Sequence, residues 1–212
     1  LLGDGRFVQY RTVLAMMKTH FPRTSRGFTL IELMTTLTIA VVLMLIAIPN
    51  FVDFRRTSAL ISAANELVAS MQAGRGEAMK RNLRAIVAPT DGSSWANGWR
   101  VYVDTNNDQT YTAGTDILIQ QTGALPTYLS VTANSTATGT APYVMFDGSG
   151  FPRASTGAFA AMTMSINRND NSALVDSPSG TRRVILAPTG RIRVCRPSSS
   201  TDTSCLASGN TN

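Results

Sequence analysis

Between Phe28 and Val52 the chain carries a single ionisable side chain, Glu32, in an otherwise uncharged and mostly apolar run. As a helix, rising about 1.5 Å per residue, such a run is long enough to cross the hydrocarbon core of a bilayer. The chain therefore divides into a leader, an apolar helix and whatever that helix carries. A carboxylate inside an apolar span is costly unless neutralised or paired, which makes Glu32 a functional candidate. Its spacing names a partner: a cut after Gly27 would leave a new amino group on Phe28, four residues away. The alternative is an ordinary single-span anchor with one stray Glu.

Charge gives the orientation. The formal net charge is +6. Residues 1–27 hold Arg6, Arg11, Lys18, Arg23 and Arg26 against Asp4 alone, a balance of +4, which leaves +2 for the remainder. By the positive-inside tendency the leader stays cytoplasmic and the head is exported. A secretory signal would place its cleavage site after the apolar stretch and discard that stretch. Here the candidate site precedes it, so the helix is retained. Cys195 and Cys205 are the only cysteines, both beyond the span. An even count in an exported head favours a disulfide over a metal site.

Arg26-Gly27-Phe28-Thr29-Leu30-Ile31-Glu32-Leu33 resembles the prepilin cleavage and methylation motif of type IV pilins and type II secretion pseudopilins. The resemblance implies cleavage after Gly27 by a membrane aspartic peptidase and methylation of the Phe28 amine. It also implies that Glu32 pairs with the Phe28 amine of a neighbouring pilin subunit during assembly. Residues 1–27 then form a leader that is long for this family, with Met16 and Met17 as alternative starts.

Beyond the span, residues 54–88 keep a helical pattern. Leu60, Ala64, Leu67, Val68, Met71, Met79, Leu83 and Ile86 fall near one face. The spacing predicts one long helix, with residues 28–53 as its membrane and pilus-core half and an amphipathic second half running to about Val87. Pro49 is expected to kink it. From residue 89 the period changes to strands: Trp99–Val103, Asp116–Gln121, Tyr128–Val131, Tyr143–Phe146, Phe159–Ile166, Val184–Ala187 and Ile192–Val194, separated by Ser/Thr/Gly/Asn-rich turns. Residues 89–212 are thus expected to form a β-rich head packed on the amphipathic half-helix, an α+β arrangement. Trp95-Ala96-Asn97-Gly98-Trp99, followed by Val-Tyr-Val-Asp and an Asn/Asp turn, resembles the head of GspH/FimT minor pilins and pseudopilins.

Enzyme chemistry finds little to build on. The only histidine, His20, lies in the leader, so the mature chain holds no His-based triad and no His-ligated zinc. No catalytic activity and no cofactor are expected. Asp104-Thr105-Asn106-Asn107-Asp108 admits two readings, a calcium loop or a turn. It lacks the Gly at the sixth position and the Glu at the twelfth that an EF-hand requires.

The C-terminal stretch from Arg182 to Arg196 contains Arg182, Arg183, Arg191, Arg193 and Arg196 and no acid. Two short strands flanking Pro188-Thr189-Gly190 suggest a hairpin. Strand alternation puts Arg191 and Arg193 on one face, with Ile192 and Val194 toward the core. Gly190-Arg191-Ile192-Arg193 resembles the Gly-Arg-x-Arg motif with which FimT-type minor pilins bind DNA during natural transformation. The resemblance implies DNA as partner, held through phosphates with low sequence specificity and displayed on a cell-surface pilus. A solvated hairpin is the alternative for these residues. A pilus-priming subunit without DNA binding and a type II secretion pseudopilin are the alternatives for the whole chain.

Overall fold

The computed structural model describes residues 27–174, 177–199 and 202–205. The expected leader, apart from Gly27, lies outside them. The chain divides into two compact units, one ending at Ile46 and the other starting at Ala47. One helix, α1 (Leu30–Arg81), contributes to both.

In the first unit, α1 opens on a capped turn. Thr29 Oγ1 accepts the backbone N–H of Glu32 at 3.2 Å. With Glu32 three residues on, Thr29-Leu30-Ile31-Glu32 has the Thr-x-x-Glu pattern of a capping box. An acidic side chain in the first turn also complements the helix dipole. From Leu30 to Ile46 the large apolar side chains stand exposed. Helix length and composition suit a membrane span.

In the second unit, α1 continues to Arg81 and turns one stripe inward. Leu60, Leu67 and Met71, with Ala63 and Ala64, are buried. Their three-and-four spacing makes the apolar face that the sheets cover. Burying a Leu or Met fully contributes about 1.5–3 kcal/mol each, so this stripe is the main attachment of the helix to the head.

The helix stops earlier than its periodicity predicts. Asn82 adopts φ 53°, and the Leu83 N–H reaches back to the Ala78 carbonyl at 3.2 Å, a left-handed C-terminal cap of Schellman type. Residues 84–87, expected to be the end of the helix, instead belong to the first strand, β1 (Arg84–Pro89). The other strands follow as β2 (Trp99–Asp104), β3 (Ile117–Gln121), β4 (Leu129–Ala133), β5 (Val144–Phe146), β6 (Pro152–Arg153), β7 (Met162–Arg168), β8 (Thr181–Leu186) and β9 (Ile192–Cys195). They form two antiparallel sheets, ordered β3-β2-β1-β5-β6 and β4-β7-β8-β9. The α+β class is therefore as expected: a long N-terminal helix packed on antiparallel sheets. Helix α1 runs through Pro49 without a break.

One core joins α1 to both sheets: Leu67 and Met71 share it with Val87, Trp99, Phe146 and Met164. Both of its tryptophan indoles are matched. The Trp99 indole N–H donates to Ser70 Oγ at 2.8 Å, and the Trp95 indole N–H to the Ala137 carbonyl at 2.8 Å. A second attachment is ionic. The Arg168 side chain, 4% exposed, bridges Asp170 at 2.7 Å and Asp53 at 2.9 Å, and Arg56 reaches the same Asp170 at 2.8 Å. The Arg168 hydrogen bond holds the Asp170 carboxyl down to about 2 against the opposing effect of burial.

Candidate nucleic-acid interface

The arginine-rich stretch folds as the expected hairpin. Strands β8 and β9 pair antiparallel with Arg183 opposite Cys195, Val184 opposite Val194, Ile185 opposite Arg193 and Leu186 opposite Ile192. The turn is closed by the Gly190 N–H on the Ala187 carbonyl and the Ala187 N–H on the Arg191 carbonyl, both at 2.9 Å. Gly190 has φ 81°, the left-handed residue that a three-residue hairpin loop with a bulge demands. A methyl group placed on Gly190 would stand 2.7 Å from the Gly150 carbonyl oxygen. The glycine of Gly-Arg-x-Arg is thus a packing residue.

Opposed residues share a face, so Arg183, Arg193 and the apolar Ile185 belong to one side of this sheet while Val184, Leu186 and Ile192 face the helix. The orientation of Ile192 is as expected, and it packs on the core. Val194 is not covered: it is 37% exposed, because β9 is the last strand of its sheet and nothing in the register flanks it.

The five arginines do not form one free face. Arg191, immediately before β9, is exposed, and no carboxylate among the described residues pairs with it. Arg193 donates to the Ser204 carbonyl at 2.9 Å, and Arg196 to the Pro178 carbonyl at 2.8 Å. Arg182, half-buried, donates to the Thr181 carbonyl at 2.7 Å. Burial, and after it the positive charge of Arg196, pull the Arg182 guanidinium below its usual range. Arg183 is 5% exposed and donates to the Cys205 carbonyl. Its place as a surface contact is therefore corrected: the chain returning to Cys205 covers it, and its Nε is buried without a partner.

That return is held by the Cys195–Cys205 disulfide, with Cα atoms 6.0 Å apart and a sequence separation of 10. Inside the loop Asp202 accepts from the backbone N–H and hydroxyl of both Ser198 and Ser204. Those bonds hold its carboxyl well below the usual range. The pairing of the two cysteines is as expected. The path of the loop over the Arg183 and Arg193 side of the sheet carried no sequence signal.

Elsewhere the candidates separate. Gly27 and Phe28 precede α1 and are exposed, as is Glu32 within its first turn. The Asp104–Asp108 loop spends its carboxylates on backbone amides: Asp104 accepts from Asp108 and Gln109 at 3.2 and 3.1 Å, and Asp116 from Thr105 and Thr112 at 3.0 and 2.7 Å. Among the described residues no cluster of His, Cys, Asp or Glu is grouped to hold a metal ion. Burial, then Asp104 and Asp116, push the Tyr102 hydroxyl well above its usual range, and it donates to the Gln109 carbonyl at 2.8 Å.

A family profile described as type II transport protein GspH matches residues 63–190. A second, the prokaryotic N-terminal methylation motif, matches residues 22–48. No curated protein matches the chain. Among solved structures, the type IV minor pilin FimU of Pseudomonas aeruginosa is similar at 19% identity, over 69% of this chain and 98% of that one, with a TM-score of 0.49. The minor pseudopilin EpsH of the Vibrio cholerae type 2 secretion system is similar at 16% identity, over 66% and 98%, with a TM-score of 0.46. With its head matched across both sheets and the methylation motif at the front of its helix, the chain belongs to the GspH family of minor pilins and pseudopilins.

Proposed function

We propose that this protein is a minor type IV pilin that binds DNA through the β8–β9 hairpin for uptake in natural transformation. Prepilin peptidase cuts after Gly27, the Phe28 amine is methylated, and Glu32 meets that amine on a neighbouring subunit as the helix leaves the inner membrane. The head is periplasmic before assembly and lies at the cell surface afterwards.

The observation that supports DNA binding best is that five arginines and no acid gather on this one hairpin, with Arg191 exposed and matched by no carboxylate among the described residues, and Arg182 of β8 near Arg196 just beyond the edge strand β9. Like charges gathered at an edge are unfavourable by themselves and are relieved by a polyanion. Guanidinium forks match phosphate oxygens. No recognition helix enters the arrangement, so binding is phosphate-led and indifferent to sequence. Affinity is expected in the roughly micromolar or weaker range of nonspecific contacts, falling steeply with salt.

The test is DNA binding by the detergent-solubilised full chain across a salt series. Arg191→Gln with Arg193→Gln should weaken binding and flatten the salt slope, by about 0.9 for each phosphate contact removed. Equal binding by parent and double variant, with both folded, would return the hairpin to a solvated edge and leave a pilus-priming subunit. The description of the matched family favours a second reading, a type II secretion pseudopilin. Pilus genes rather than secretion genes beside the coding sequence would separate the two.

A further inference from the structure

Gly190 and Gly150 bring together two segments that are far apart in sequence. The hairpin tip packs on the turn at residues 147–150, where the Gly150 N–H donates to the Asp147 carbonyl at 2.8 Å. Arg75 of α1 lies under both: its Nε donates to the Gly150 carbonyl at 2.8 Å, and its guanidinium carbon lies 3.2 Å from where a Gly190 methyl group would be. Among the described residues no carboxylate pairs with Arg75. A second cation therefore joins Arg191 at the tip, from the other end of the domain sequence.

The residue after Gly150 is Phe151, 37% exposed, set edge-to-face against Phe159, which is 57% exposed, with ring centroids 5.6 Å apart. Arg153 lies over the Phe159 ring at 3.9 Å and is tied to Asp147 at 2.7 Å. Asp147, the acid of this turn, is thereby occupied; its other oxygen accepts the backbone N–H groups of Ser149 and Phe151. Two exposed aromatic rings thus border a tip carrying Arg75 and Arg191.

We infer that this border is a stacking site for unpaired bases, so that the head takes single-stranded DNA in preference to duplex. Resting on the DNA-binding function above, it names the form of the ligand. Arg75 and Arg191 hold phosphates while Phe159 and Phe151 offer rings to the bases, the combination of cationic track and aromatic platform that single-strand binders use. Duplex DNA has its bases already stacked and gains only the phosphate contacts. An apolar patch facing a neighbouring subunit would have no use for the adjacent unpaired cations, and charge complementarity therefore selects a polyanion as the occupant.

The experiment compares a 20-nucleotide single strand with the duplex of the same length, on the detergent-solubilised full chain at one salt concentration. A single-strand probe containing 2-aminopurine reports stacking by fluorescence quenching. Phe159→Ala and Phe159→Leu, at an exposed position, should leave the melting temperature near that of the parent. Both should lower single-strand affinity by about fivefold or more and abolish quenching, with duplex affinity unchanged. Arg75→Gln should weaken both forms. Unchanged single-strand affinity in both Phe159 variants overturns the stacking site while leaving the arginine hairpin standing. So does a loss of filament incorporation without any change in DNA binding, which would make the patch a subunit contact. Failure of the parent to bind either form overturns the DNA-binding function itself.

Discussion

Gly190 and Gly150 approach so closely that one methyl group on Gly190 would press against the other residue's carbonyl oxygen at 2.7 Å. The hairpin that carries Arg191 and Arg193 is therefore docked by its tip, and the direction of its arginines depends on that contact.

Gly190→Ala should destabilise the head by about 2–3 kcal/mol. A left-handed conformation costs a non-glycine residue about 1–2 kcal/mol, and the clash with Gly150 adds to it. Gly157→Ala is the control, since Gly157 has φ 84° but no heavy atom within 4 Å of its added methyl group. Urea melts should show the larger loss at Gly190. Equal losses would mean that the tip gives way freely.

The acid limb of stability should report Asp170. Its carboxyl is held at about 2 rather than the ordinary 3.8, so its contribution is complete above about pH 4 and is lost as pH falls toward 2. The linkage amounts to about 2 kcal/mol. Asp170→Asn should flatten that part of the stability profile. Asp170→Ala should cost about 3 kcal/mol at pH 7, because Arg168 is then left buried with only the exposed Asp53. A pH profile unchanged by Asp170→Asn would remove this carboxylate from the account.

Joint replacement of Cys195 and Cys205 by Ser should cost about 3 kcal/mol, the chain-entropy value for a loop of this size. It should also loosen the return of the chain over Arg183. Trypsin cleavage after Arg193 should speed up in the variant and in the reduced parent. Two freely alkylatable thiols in the unreduced parent would show that the bridge does not form.

At the front of α1, Glu32 presents its backbone to the cap and its carboxylate to the outside. Thr29→Ala removes the hydroxyl that receives the Glu32 N–H and should cost the helix start about 1 kcal/mol. Glu32→Ala keeps that hydrogen bond and should insert normally. It should nevertheless fail to enter filaments, as judged by immunoblots of sheared pili. Normal entry would argue against pairing with Phe28.

Much of this architecture was legible because alternation is visible wherever polar or amphipathic side chains take the face opposite the apolar ones, as Arg100 and Tyr102 do between Trp99, Val101 and Val103. It failed at Ala85-Ile86-Val87. That segment lies in the middle of its sheet, between β2 and β5, and is buried on both faces. Such a strand shows no alternation, and Leu83 and Ile86 happen to continue the helical spacing of Met79. The left-handed Asn82 decides the matter. β6 is two residues long and opens on Pro152, too short for any period. At the candidate site, the hairpin and the disulfide could be read from the sequence. The covering of Arg183 could not, nor the arrival of Arg75 and Gly150 beside Gly190, since both depend on which distant segments meet.

The clamps on the disulfide loop have one chemistry in common: Arg183, Arg193 and Arg196 all grip main-chain carbonyls, of Cys205, Ser204 and Pro178. A carbonyl is supplied by every amino acid. The arginines therefore constrain where the backbone runs and place little demand on which side chains it carries at the gripped positions. That makes the loop a permissive place to graft a short epitope or a reporter peptide on this head, with its main-chain clamps left as they were.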